Sequence, residues 1–87
     1  MAKFESGRKF VTPGVLDVIS DDVICSLLDR HLAGDWGDVP PADARQNEWS
    51  LEHGERLVSM YNVDGTKILI ITERDRSATT VLLPEDY

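Results

Sequence analysis

The stretch His31–Asp38, HLAGDWGD, separates a helical first half of the chain from a second half with strand periodicity. Its two glycines permit positive φ angles and close backbone approach, and its two aspartates can cap and bend the chain locally. A tryptophan and a histidine in the same eight residues make the stretch more specialised than a simple connector requires. We therefore expect a structured junction around which the two halves are arranged.

Three helices are predicted in the first half. Thr12-Pro13 is a helix start, because threonine can cap the helix and proline lacks only an N–H that would be unpaired there. Ser20 starts a second helix, whose apolar residues recur at helical spacing until the stop at Gly34. A third helix is expected over residues 41–53, anchored mainly by Trp49. Cys25 lies in the apolar second helix, and we expect a buried structural thiol.

The second half predicts an antiparallel sheet. Apolar residues alternate over 57–63, Asp64-Gly65 is typical of a type I′ hairpin turn, and residues 67–72 read as a central strand. A charged connection over 73–77 leads to a third strand, 79–83, which Pro84 ends. Helices followed by strands indicate an α+β fold. We expect the N-terminal helices to pack on one face of a C-terminal three- or four-stranded antiparallel β-meander.

The length of 87 residues predicts one domain, with a helical part over about 12–53 and the sheet over about 55–84. Residues 3–11 form an extended arm that the pattern does not place. The start of the chain has no apolar signal segment, and no apolar run reaches membrane-spanning length. We therefore expect a cytoplasmic protein without a membrane partner.

The charge balance bears on the class of partner. The chain has 16 Asp and Glu against nine Lys and Arg, a formal net charge of −7. Nucleic-acid binding depends on clustered cations, so a nucleic-acid partner is not expected. A single cysteine excludes an internal disulfide and a cysteine-rich zinc site. No metal-binding or phosphate-binding motif occurs, and no cofactor or metal is expected.

Several motifs recur as a set in one known family. They are Thr12-Pro13-Gly14, His31 with residues 34–38, Asn47, Gly54, Ser59, Tyr61, residues 71–77 and residues 79–87. From about Gly7 to Tyr87 the chain thereby resembles short plasmid-related proteins of plasmids and integrative elements. It departs from them at Leu69-Ile70, where relatives tend to carry a tryptophan. The resemblance implies a mobile-DNA gene setting and no particular activity.

The favoured interpretation is an acidic accessory protein that binds another macromolecule, a protein, as an inhibitor or modulator of a host system. A tryptophan between glycines can be an interaction hot spot, although aromatic residues also anchor loops in cores. Arg74 and Arg76 flank Asp75 on a charged turn, which is also typical of a solvated connection. The candidate binding residues are Asp35, Trp36, Asp38, Arg74, Asp75 and Arg76.

A small metal-independent ribonuclease-like enzyme, of the barnase or RelE type, is the alternative. His31 would transfer a proton, and Arg74 or Arg76 would stabilise a phosphate-like transition state. The same histidine could instead interact with the dipole at the end of its helix. The candidate catalytic residues are His31, Arg74, Arg76, Tyr61 and Thr79. A structural or oligomerising protein is a third possibility, and it would show a broad apolar patch.

Overall fold

The computed structural model describes residues 2–87 and has the predicted α+β architecture. A four-stranded sheet is combined with three α-helices and a short C-terminal 3-10 turn. In chain order the elements are β1 (Arg8–Val11), α1 (Pro13–Val18), α2 (Asp21–Leu32), α3 (Pro41–His53), β2 (Leu57–Val63), β3 (Thr66–Thr72), β4 (Ala78–Leu82) and the turn Pro84–Asp86. No helix within residues 2–87 has both the length and the apolar character needed to cross a bilayer.

The sheet has the strand order β1-β4-β3-β2. Strands β2, β3 and β4 form the predicted antiparallel meander, with Asp64-Gly65 in the left-handed conformation of the hairpin turn. The N-terminal arm supplies β1, which pairs with β4 in parallel. The prediction of a purely antiparallel sheet is therefore wrong. Parallel neighbours need a long crossover, and the helices and the hairpin between β1 and β4 provide one.

The helix ends follow local chemistry that the sequence shows. Ser20 caps α2, since its hydroxyl accepts a hydrogen bond from the Val23 amide at 3.3 Å. Helix α3 runs from Pro41 to His53, and Gly54 caps its end with a φ of 67°. Thr12 precedes α1, but its hydroxyl donates to the Asp86 carboxylate at 2.8 Å instead of capping the helix.

The core lies between one face of the sheet and helices α1 and α2. Alternate strand residues point to this inner face, because successive side chains of a strand point to opposite sides. Helix α1 contributes Val15, and α2 contributes one apolar side of its surface. The buried core residues are Val15, Ile24, Leu27, Leu28, Tyr61, Ile68, Ile70, Val81 and Leu83.

Helix α3 packs beside β2 instead of covering the sheet. Its buried residues are Asn47 and Ser50, whereas Trp49 is 47% exposed. The expectation that Trp49 anchors this helix is wrong, because the helix faces the backbone of an edge strand, which needs polar partners. Cys25 is exposed on α2, so the expectation of a buried thiol is also wrong. Cys25 lies outside the side of α2 that faces the core.

The outer edge of β2 would expose unpaired backbone groups if nothing covered it. Asn47 covers its first part, because the side-chain amide donates to the Val58 carbonyl at 2.8 Å and accepts from the Val58 amide at 3.1 Å. One side chain thus satisfies both backbone groups of Val58, as a neighbouring strand would.

The junction loop covers the rest of that edge. The Met60 amide donates to the Trp36 carbonyl at 3.1 Å, and the Asp38 amide donates to the Met60 carbonyl at 2.6 Å. The Asp38 carboxylate then accepts from the Asn62 amide at 3.0 Å. Gly37 lies between these contacts with a φ of 76°. A Cβ there would overlap the Met60 carbonyl and lie 2.6 Å from the Tyr61 ring, so the loop can approach β2 only with glycine at this position.

Replacing Asn47 with alanine should lower the free energy of unfolding by about 2 kcal/mol, because two partly buried backbone groups of Val58 lose their partners. Urea unfolding would measure the change. Asn62→Ala is the matched control: its side chain is exposed, and we expect a change within about 0.5 kcal/mol. Equal effects of the two variants would contradict the proposed role of Asn47.

Gly37→Ala should destabilise the protein by about 3 kcal/mol or more, since it combines left-handed strain with a backbone overlap. Gly65 also has a positive φ, but a Cβ there meets no atom within 4 Å. Gly65→Ala should therefore show the strain alone, about 1 kcal/mol. Thermal unfolding of both variants separates the backbone strain from the overlap. A Gly37→Ala variant that is no less stable than Gly65→Ala would refute the close approach of the loop to β2.

Candidate functional site

A buried chain of hydrogen bonds is centred on His31, whose side chain is fully buried. Nδ1 lies 2.5 Å from the Ser59 hydroxyl on β2, and Nε2 lies 2.9 Å from the Thr72 hydroxyl on β3. The Thr72 hydroxyl is 2.7 Å from that of Thr79 on β4. Thr79 donates to the Ser6 carbonyl at 2.7 Å. The chain thus connects α2, three strands and the N-terminal segment.

The last acceptor fixes the direction of the bonds from Thr79 back to His31 Nε2, and a neutral ring then fixes the bond to Ser59. A carbonyl can only accept, so the Thr79 proton goes to Ser6, and Thr72 must donate to Thr79. The Thr72 oxygen then accepts from His31 Nε2–H. In a neutral imidazole the other nitrogen accepts, so Ser59 donates to Nδ1. A neutral His31 with its proton on Nε2 satisfies all these groups.

Aromatic side chains cover this polar chain. The Phe4 ring packs edge-on against the imidazole, with 5.3 Å between the ring centres. The Trp36 ring does the same, with 5.8 Å between the ring centres. The Arg76 guanidinium lies 5.8 Å from the centre of the Phe4 ring. Burial lowers the pKa of His31 to about 4, because water no longer stabilises the charged form. His31 is therefore neutral and closed off from solvent at neutral pH.

The glycine-rich loop is held by its own polar residues. Asp35 pairs with Arg30 at 2.7 Å and accepts from the Gly37 amide at 3.2 Å. The hydrogen bond from Arg30 keeps the pKa of Asp35 below its ordinary value. Asp38 is bonded to the β2 edge as described above. Both carboxylates thus hold the loop in its conformation.

Trp36 is buried and anchors the loop instead of projecting from it. Its indole N–H donates to Glu48 on α3 at 2.7 Å, and only 6% of its side chain is exposed. The Tyr61 hydroxyl donates to the Asp35 carbonyl at 2.6 Å, and burial raises the pKa of Tyr61 to about 12. Trp36 offers no surface for a partner, and Tyr61 remains protonated.

Arg76 ties the β3–β4 turn to the end of α3. Its guanidinium donates to the backbone carbonyls of Glu55 at 2.6 Å, Glu73 at 3.1 Å and Ser50 at 3.2 Å. A weaker bond at 3.3 Å reaches the Arg74 carbonyl. With its donors directed at backbone carbonyls, this arginine is a clamp within the fold.

The other two turn residues are exposed. Asp75 accepts from the Ser77 amide at 3.0 Å and shapes the turn, and bonds from Ser77 lower the pKa of Asp75. Arg74 lies 3.6 Å from Glu55 with its side chain 74% exposed. Such a surface pair contributes little to stability. Arg74 and Asp75 are the predicted turn residues that remain accessible.

The candidate catalytic residues do not form an open site. His31 and Thr79 are joined through Thr72, and His31 and Arg76 border the same Phe4 ring. The enzyme alternative requires His31 and an arginine to face each other across a cleft, and the closed, aromatic-covered histidine does not provide that geometry. No group of three His, Cys, Asp or Glu side chains within residues 2–87 is arranged to hold a metal ion.

A groove that the sequence did not reveal lies between α3 and the start of β2; we call it the α3 groove. It encloses about 510 Å³, and its walls include Asn47 and Ser50 from α3 and Val58 from β2. Trp49 borders the groove and also a second depression of about 340 Å³. Its indole stacks on His53 at 4.1 Å, with the rings 11° from parallel.

One feature of the sequence could have indicated this groove. Apolar residues are sparse in α3, so its single tryptophan has no helical stripe to join. An isolated large aromatic residue on a polar helix indicates exposure as readily as anchoring. Only the position of α3 at the β2 edge decides whether the tryptophan is exposed or buried. That position depends on contacts between residues far apart in sequence.

The buried neutral His31 predicts that stability falls on mild acidification. The unfolded chain binds a proton near the ordinary pKa of 6.5, whereas the folded chain does so near 4. This contribution to stability is complete above pH 6.5 and is lost as the pH falls towards 4. We expect a loss of about 1 kcal/mol between about pH 7 and pH 5.5, and about 3 kcal/mol in total.

Urea unfolding at both pH values would measure this loss. His53→Gln is the matched control, since it removes the exposed histidine and should retain the same dependence. A stability that is constant or rises over this range would contradict a neutral, buried His31.

Comparisons of the chain with known protein families, with curated proteins and with solved structures found no match. The resemblance to plasmid-related proteins therefore remains a prediction from sequence motifs.

Proposed function

We propose that this protein acts by binding another protein, and that the α3 groove with Trp49 is its contact surface. The observation that carries the proposal is the exposed Trp49 indole, which borders two depressions. Tryptophan is buried in most folds, and an exposed one beside a concave surface is typical of an interaction hot spot. The stacked His53 ring holds the indole in one orientation.

The groove is shaped before any partner arrives. Asn47 is locked to the backbone of β2, and Ser50 is fully buried and tied to Arg76 through its carbonyl. Rigid walls reduce the conformational entropy lost on binding. The volume of about 510 Å³ is within the range of pockets that bind small ligands, which is room enough for a protruding side chain.

Charge indicates the chemistry of the partner. Helix α3 has three acidic residues against one arginine, and the groove is lined by Asp43 and Glu55 as well as by Arg56. The net charge of −7 attracts basic surfaces over longer distances. The proposed partner is a basic protein segment that places an apolar side chain beside Trp49 and a lysine or arginine near Asp43.

The motif resemblance adds a biological setting to this proposal. A protein of mobile DNA that binds through one pre-formed groove fits an inhibitor or modulator of a host system. The closed surroundings of His31 and the carbonyl-bound Arg76 support binding over ribonuclease-like catalysis.

Trp49→Ala should abolish capture of the partner while leaving the fold intact. Tagged protein would be used to retain partners from a host lysate, with mass spectrometry and stoichiometry as the measurement. We expect one basic protein at equimolar amounts that is released by added salt, because surface charge contacts are screened within about 8–10 Å. Its loss with Trp49→Ala should correspond to at least a hundredfold weaker binding, about 3 kcal/mol.

Leu16→Ala is the matched control, since Leu16 is a similarly exposed apolar residue, 54% accessible, on α1. It should retain the partner in full. Equal capture by Trp49→Ala and the parent protein would refute the groove as the contact surface. Shortened RNA in place of a protein partner would favour the enzyme alternative.

A further inference from the structure

The second edge of the sheet, formed by β1, is built differently from the β2 edge. The Arg8 amide donates to the Ser77 carbonyl at 2.9 Å, and the Thr12 amide donates to the Val81 carbonyl at 3.0 Å. In a parallel ladder these bonds alternate along the strand, so the backbone groups of Lys9 and Val11 point away from β4. Within residues 2–87, no hydrogen bond engages these outward groups.

The contrast between the two edges is chemical. On β2, a side-chain amide, a loop backbone and a carboxylate satisfy the outward groups of Val58, Met60 and Asn62. On β1, the outward amides and carbonyls of Lys9 and Val11 remain available as donors and acceptors. An available edge is a template for one more strand.

Charge at the β1 edge is basic in an otherwise acidic protein. None of the 16 acidic residues lies in a strand, whereas β1 contains Arg8 and Lys9 in succession. The Arg8 guanidinium lies 5.8 Å from the centre of the Phe10 ring, which is itself 47% exposed. The edge therefore offers backbone hydrogen bonds, two cations and one aromatic surface within four residues.

We propose that the β1 edge accepts an extended acidic segment of a partner protein as a fifth strand. The Lys9 and Val11 backbone would pair with the segment, and carboxylates on its two faces would lie beside Arg8 on one face of the sheet and Lys9 on the other. A second copy of β1 is disfavoured, because antiparallel pairing of two copies would place four cations in one short ladder. The same cations discourage a neutral apolar strand, so charge selects the partner.

This surface is separate from the α3 groove. Strands β1 and β2 are the two outermost strands of the sheet, about 14 Å apart at the usual strand spacing. The groove is expected to bind a basic segment and the β1 edge an acidic one. Variants at one surface should therefore leave binding at the other unchanged.

The test uses a short, end-blocked peptide of valines and paired glutamates, whose two faces both carry carboxylates, titrated into the isotopically labelled full chain. The NMR signals of the Lys9 and Val11 amides should shift, and exchange of these amides with solvent should slow. Lys9→Glu should weaken binding by about tenfold or more, because it replaces an attraction with a repulsion. Lys67→Glu is the matched control, as an exposed strand lysine away from β1, and should bind as the parent does.

Each other outcome would overturn the proposal. Shifts confined to Trp49 and its neighbours would place the peptide in the α3 groove instead. Equal binding of a valine–lysine peptide would remove the charge selection. Concentration-dependent shifts of Lys9 and Val11 without peptide would identify a second copy as the occupant. An absence of shifts at peptide concentrations up to about 1 mM would show that this edge does not add a strand.

Discussion

The fold depends on one buried hydrogen-bond chain, from Ser59 through His31, Thr72 and Thr79 to the Ser6 carbonyl. It crosses three strands and ties them to the end of α2 and to the N-terminal segment. Unpaired polar groups are costly in a low-dielectric interior, so the chain holds these elements in one register or loses several bonds together. The chain requires a proton on Nε2 of His31, and burial keeps the ring neutral, so that Nδ1 accepts from Ser59. The histidine, which first suggests chemistry, is thereby a structural cross-link.

Other polar side chains of the junction and the turns also hold the fold together by pairing with backbone groups. Asp38 and Asn47 replace a missing strand beside β2, and Arg76 binds the carbonyls where α3, β2 and the β3–β4 turn meet. These interactions close the molecule around His31. The two proposed contact surfaces, at Trp49 and along β1, use groups that the fold does not engage.

Local chemistry in the sequence predicted much of the architecture. Ser20, Pro41 and Gly54 mark helix ends through capping and backbone preference, and Asp64-Gly65 marks the hairpin, because these effects act within a few residues. The parallel pairing of β1, the exposure of Trp49 and the burial of Trp36 depend on contacts across the whole chain. The polar partners of His31 lie 28 and 41 residues away, at Ser59 and Thr72, and no local pattern reveals them.

Nitrogen-detected NMR of the His31 imidazole would report its protonation state and its tautomer. We expect one neutral tautomer with the proton on Nε2, unchanged from about pH 8 to pH 5, because burial lowers the pKa of His31 to about 4. A His31 ring that titrates near its ordinary pKa of 6.5, or that carries its proton on Nδ1 at neutral pH, would contradict the buried chain. That result would make His31 available for proton transfer.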